Sequence, residues 1–281
     1  MSETIVVATD GSEASDRALD WAAADAVLRR RPLHIVHAVE SWPYRAPLFA
    51  PPEIVEQTTR AGHAVLVAAV EHVHERWPDL VATTALVTEE TSKALREQSE
   101  NAFELVLGSR GRGGFASLLL GSTSLKMAGR SAAPVVIVRG DAADRGEVVV
   151  GIDLLRDVDQ VLGYAFDAAA VHGARLRVVH AWQTFATLIE AGYALDAEQI
   201  ELDLRNQLIA AYRPLRDKFP HVDVVDEVVL EHPVIALTNA SRDARLLVVG
   251  THDRWPPPQL GSTTHGVIHH AQCPVAVIPS R

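Results

Sequence analysis

The residues of this chain best suited to chemistry gather in one stretch of glycines, hydroxyls and arginines. Gly108, Gly111, Gly113 and Gly114 alternate with Arg110 and Arg112, and Gly121-Ser122-Thr123 follows shortly after. Glycine lets backbone N–H groups approach an anion closely, and a helix start adds partial positive charge. Ser122 and Thr123 offer two hydroxyls at such a start, and the arginines can neutralise phosphate charge. The set describes a phosphate cradle; a flexible glycine turn with no ligand is the plainer alternative. Asp10, ahead of Gly11-Ser12, also reads two ways, as a helix-entry residue or as a ligand contact.

Other chemistries find less support. There is no G-x-S-x-G elbow, no H-E-x-x-H pair and no G-x4-G-K-[ST] loop. Ser122 stands where the lysine of that last motif would follow the glycine, so a fast ATPase is not expected and at most slow hydrolysis remains. Among the 13 histidines, His265 and His269 lie four apart on an expected helix, yet no third ligand is placed beside them. They read as a solvated helix face, no metal site is assigned, and His37 and His180 read as structural or site-lining.

The elements that must position the cradle can be read around it. An apolar run, Leu105–Leu107, leads into Gly108, a helical segment follows Gly121, and Pro134 opens a second run, Val135–Val138. Strand, glycine loop, helix and strand make a phosphate-binding βαβ unit. The whole pattern is written twice. Asp10 matches Asp153, His37 matches His180, Gly108 matches Gly250, and Gly121-Ser122-Thr123 matches Gly261-Ser262-Thr263. At 281 residues the chain accommodates two such units, expected at 1–140 and 146–281 with the polar stretch 139–147 as linker.

In the first half strands are expected near 3–9, 33–39, 81–87, 103–107 and 134–138, and helices near 13–30, 53–76, 90–101 and 117–131. In the second, strands fall near 147–152, 175–181, 223–230, 245–249 and 274–278, with a long helix over 195–218. Ser12 is a good N-cap for the first helix, whose buried face should carry Leu19, Ala22, Ala23, Ala26 and Val27. Continuous Val/Ile/Leu strands alternating with helices predict a parallel, doubly wound α/β sheet in each half. The Pro-rich stretches 42–52 and 255–258 are expected loops, the first a candidate flap.

Gly108, two residues, Gly111, nine residues and then Gly121-Ser122 match the G-x2-G-x9-G-[ST] pattern of ATP-binding universal stress proteins, and the chain resembles that family throughout. The resemblance implies two tandem Rossmann-like domains, each a five-stranded parallel sheet of the adenine nucleotide alpha hydrolase-like kind. It implies that Gly108, Gly111, Gly121, Ser122 and Thr123 contact ribose and phosphates, that Asp10 approaches the adenosine portion, and that backbone at Val39 recognises adenine. ATP is the implied cofactor, with Mg²⁺ as its companion ion. The second set, Asp153, Gly250, Gly261, Ser262 and Thr263, departs from the pattern. Asp253 replaces the second glycine, three prolines stiffen the loop, and it is two residues shorter. Two unequal sites are therefore expected, the first the stronger. By analogy the final strands pair the two halves within the chain, and a homodimer of tandem chains follows. A slow nucleotide hydrolase and a nucleotide-free interaction module are the rival readings.

Composition narrows the partners. A net charge of −10 argues against nucleic acid and anionic membranes, which select cationic surfaces. No run approaches the length of a membrane span, the N-terminus lacks a signal-peptide pattern, and the cytoplasm is the default. The single cysteine, Cys273, reads as a buried thiol.

Overall fold

In a computed structural model, described here for residues 4–39, 52–111, 120–140, 146–183, 196–251 and 260–279, the chain divides into two compact units. The first is formed by residues up to 141 and the second by residues 142–253 and 260–281. Each is a five-stranded parallel sheet with helices between the strands.

Unit 1 runs β1 (Ile5–Ala8), α1 (Glu13–Arg29), β2 (Leu33–Ala38), α2 (Pro52–Arg76), β3 (Ala82–Val87), α3 (Thr91–Ser99), β4 (Glu104–Gly108), α4 (Ser122–Arg130) and β5 (Val135–Val138). Its sheet order is β3-β2-β1-β4-β5, every pair parallel. Unit 2 repeats the plan with β6 (Glu147–Gly151), α5 (Asp159–His172), β7 (Leu176–Trp182), α6 (Ala197–Lys218), β8 (Val224–Leu230), α7 (Pro233–Ala240), β9 (Ala244–Gly250), α8 (Ser262–His270) and β10 (Val275–Ile278). Its order, β8-β7-β6-β9-β10, is the same topology. The order in which the chain lays down its strands switches sides at β1/β4 and at β6/β9, and such a switch point leaves a crevice at the strands' carboxyl ends.

The strand cores are buried on both faces, which is why their sequences are unbroken apolar runs: Ile5, Val7, Leu105, Val106, Val136 and Ile137 are fully enclosed. On α1, Leu19, Ala22, Ala23 and Ala26 are buried as expected, but Val27 is 44% exposed. The buried stripe instead extends through Ala14, Ala18, Trp21 and Asp25, whose carboxylate pairs with Arg29. Small alanines let α1 lie close to the sheet, so the contact runs along more of the helix than large residues would allow.

The start of α1 is specified locally. Ser12 accepts from the Ser15 amide and Ser15 Oγ receives the Ser12 amide, a reciprocal cap worth about 1 kcal/mol. Both α1 and α5 end on a left-handed residue, Arg30 at φ 54° and Gly173 at φ 58°. The helix expected over 117–131 begins only at Ser122, since Leu120 and Gly121 are non-helical. The stretches 42–51, 112–119, 141–145 and 252–259, with the expected flap, Arg112, most of the linker, Asp253 and the prolines, lie outside the described residues.

Candidate functional site

The carboxyl end of β1 turns directly into α1. Gly11, at φ 72°, makes a turn that an L side chain rarely adopts, and its amide donates to Thr9 Oγ1. Asp10 Oδ1 accepts from the Ser12 amide at 3.1 Å, so the carboxylate is held at the helix entry. From the second strand, the His37 ring reaches the Thr9 carbonyl at 2.7 Å. A carbonyl only accepts, so Nδ1 carries the proton and the tautomer follows.

Next to it, β4 ends at Gly108. A Cβ there would lie 2.6 Å from the Ala14 carbonyl oxygen, so this glycine is required for packing α1 onto the sheet. Its carbonyl accepts from Ser124 Oγ at 2.7 Å, which ties the first turn of α4 to the strand end. The chain passes Ser109 and exposed Arg110 to Gly111, where a Cβ would lie 2.6 Å from Asp10 Oδ2. Gly121 caps α4 in extended backbone, and its amide donates to the Ser109 carbonyl. It offers no side chain, and the amides of the helix's first turn lack intrahelical acceptors. Asp10, Gly108, Arg110, Gly111, Gly121, Ser122 and Thr123 thus belong to one strand-end region of unit 1. Val39 follows β2, and its N–H already donates to the Val87 carbonyl, so a base at this edge does not receive that donor.

Unit 2 keeps the frame and alters the entry. His180 Nδ1 donates to the Ile152 carbonyl at 3.1 Å, as His37 does to Thr9. Thr264 Oγ1 donates to the Gly250 carbonyl at 2.7 Å, as Ser124 does to Gly108. Gly261 caps α8 in extended backbone. Asp153, however, is followed by Leu154-Leu155 rather than Gly-Ser, and α5 starts only at Asp159. Its Oδ1 accepts from the Leu155 amide and its Oδ2 from Arg156 Nε at 3.4 Å. A cavity of about 520 Å³ opens there, reached by Asp153, His180, Gly250 and Thr263.

Two residues of this frame escaped the sequence reading, Ser124 and Thr264. The available signal was a hydroxyl repeated at the third position of both closing helices. The His265 and His269 rings lie tilted against each other with centroids 4.7 Å apart, and among the described residues no three His, Cys, Asp or Glu side chains gather as a metal site.

The universal stress protein family matches residues 1–139 and again 145–279. The chain belongs to the universal stress protein family. A Mycobacterium tuberculosis (strain H37Rv) universal stress protein is 33% identical over 287 residues, spanning 97% of this chain and 96% of its own. One from Mycolicibacterium smegmatis is 31% identical, spanning 99% and 97%. A solved universal stress protein of Archaeoglobus fulgidus, 20% identical, covers 99% of both chains with a TM-score of 0.74. That likeness and the sheet order agree on the adenine nucleotide alpha hydrolase-like fold. Like these relatives, the protein is a universal stress protein with tandem domains, and among its described residues no helix is long and apolar enough to cross a membrane.

Proposed function

We propose that this universal stress protein binds ATP in unit 1 and acts in the cytoplasm as a nucleotide-dependent regulator of a stress response. The observation that carries the reading is the close approach of the Asp10 carboxylate to bare Gly111: the acid takes the place a side chain would need and so holds the glycine loop against the strand end at the sheet's switch point. Asp10 would accept from ribose hydroxyls. The amides of Ser122 and Thr123 and the Arg110 guanidinium would meet the phosphates, whose charge an α-helix start favours. Mg²⁺ would accompany the triphosphate and shield its charge.

Regulation rather than rapid turnover is favoured by the absence of a lysine after Gly121. Unit 2 is the weaker ATP site on this reading, because Arg156 already engages Asp153. The partners would be the nucleotide and a protein that distinguishes the occupied chain.

Mass spectrometry of gently purified protein tests the proposal directly. Bound adenine nucleotide in the wild type, absent from Gly111→Val, is expected. A nucleotide-free wild type that also gives no heat with ATP in calorimetry would leave the interaction-module reading in its place.

A further inference from the structure

The long helix of unit 2, α6, carries an apolar strip that its own sheet does not use. Its inner face is set by Leu208 and Tyr212, both buried, and the Tyr212 hydroxyl donates to Asp226 Oδ1 on the edge strand β8. Leu202 and Ile209 lie to one side of that face and are 52% and 36% exposed. They are seven residues apart, two helical turns, so they share one side of the helix about 10 Å apart along its axis. Glu198 lies four residues ahead of Leu202 and Arg213 four residues beyond Ile209, which makes one strip of acid, apolar, apolar, base. The charges between them are engaged: Glu201 and Asp226 with Arg205 at 3.5 and 3.7 Å, and Asp203 with Gln199 at 2.9 Å. Among the described residues, Glu198 and Arg213 have no such partner in their own chain.

The duplication supplies a control. Without a gap, α2 and α6 run into Trp77-Pro78 and Phe219-Pro220, so Leu66 corresponds to Leu208, and both are buried. The strip of α6 then corresponds to Glu56, Arg60, Val67 and Glu71 on α2. Val67 is exposed like Ile209, but Arg60 stands in place of Leu202 and is taken up by Glu56 within its own helix. Glu71 stands in place of Arg213. Of the two helices, α6 alone has a strip that meets its own reverse with apolar on apolar and acid on base.

We propose that α6 is the contact through which two copies of this chain associate, packed antiparallel across a two-fold axis near Arg205-Asn206. In that arrangement Leu202 meets Ile209 of the second copy, Glu198 meets its Arg213, and symmetry makes each contact twice. The same pairing of α2 with itself would set Glu56 against Glu71 and Arg60 against Val67, so unit 1 does not offer this surface. A contact of one helix per copy falls at the small end of interfaces, below about 1,200 Å², so the association is weak, with a Kd of about 10–100 µM. It depends neither on nucleotide in unit 1 nor on the final strands that the family resemblance assigns to pairing.

The test is sedimentation of the full chain over concentrations from about 5 to 500 µM, where the wild type should show one association step. Glu198→Arg sets like charges against Arg213 of the second copy at both symmetric contacts, and Arg213→Glu does the same against Glu198. Each should weaken the step by about tenfold or more. An equimolar mixture of the two variants makes both contacts opposite in charge again within the mixed pair, and should associate as the wild type does. Leu202→Asp removes the apolar contact and should also weaken the step, whereas Glu71→Arg at the matching place on α2 should leave it unchanged. All these positions are exposed, so circular dichroism should be that of the wild type in each variant. A wild type that stays monomeric over this range would overturn the proposal. So would a charge-reversed variant that associates undiminished, or a mixture no stronger than its components, since either assigns the association to another surface.

Discussion

Units 1 and 2 end their first strands on the same acid and then treat it differently. After Asp10 the chain turns through Gly11, caps on Ser12 and winds at once, leaving Asp10 Oδ2 against bare Gly111. After Asp153 there is no Gly-Ser entry, α5 waits until Asp159, whose amide donates to Asp157 Oδ1, and the Asp153 carboxylate is taken up by Leu155 and Arg156. One topology therefore sets its acid against a bare glycine in unit 1 and, in the copy, against Leu155 and Arg156 beside a cavity of about 520 Å³.

Gly111→Val should break the comparison most strongly. A side chain 2.6 Å from Asp10 Oδ2 must displace it, and overpacking of about 1–3 kcal/mol corresponds to a loss of ATP affinity approaching a hundredfold, read by calorimetry with unchanged circular dichroism. Gly108→Ala comes next. Its Cβ meets helix backbone at 2.6 Å, so a cost of about 2 kcal/mol is expected as a lowered urea midpoint. Gly250→Ala meets a movable valine methyl and should cost about half as much or less. Asp10→Ala should weaken ATP by about tenfold, the worth of one charge-assisted hydrogen bond, whereas Asp153→Ala should change it little. The smallest effect belongs to Arg30→Gly. Arg30 holds a left-handed C-cap that Gly173 fills in unit 2, so about 1 kcal/mol of added stability is expected on thermal unfolding.

Much of the architecture was legible because strand cores such as IVVA and LVVG can only be doubly buried strands, and because the duplication supplied each half with a control. Spacing singled out Gly111 and Gly121, whereas Asp10 was singled out by its place after the first strand and its copy at Asp153. The role of Gly108 was only half visible: the spacing marks it as a ligand glycine, but the close approach of Ala14 that forbids any side chain is a tertiary contact. Val27 was misread because helical periodicity fixes a stripe's repeat but not its angular limit, and the buried stripe runs through Ala18, Trp21 and Asp25 instead. The start of α4 was placed too early, since Ser117-Leu118-Leu119-Leu120 has helix propensity while the extended backbone at Gly121 marks where the helix begins. The later helix start after Asp153 was hidden for a similar reason, because its sequence aligns with a helix start without a gap and only Leu154-Leu155 in place of Gly-Ser betrays it.

The paired histidines carry one more consequence. His37 and His180 each donate an Nδ1 proton to the carbonyl just ahead of the aspartate. An imidazole that acquires a second proton on Nε2 keeps that donor, so the tether between neighbouring strands survives acidification. The carbonyl ahead of each aspartate thus stays tied to the next strand whichever form the ring takes.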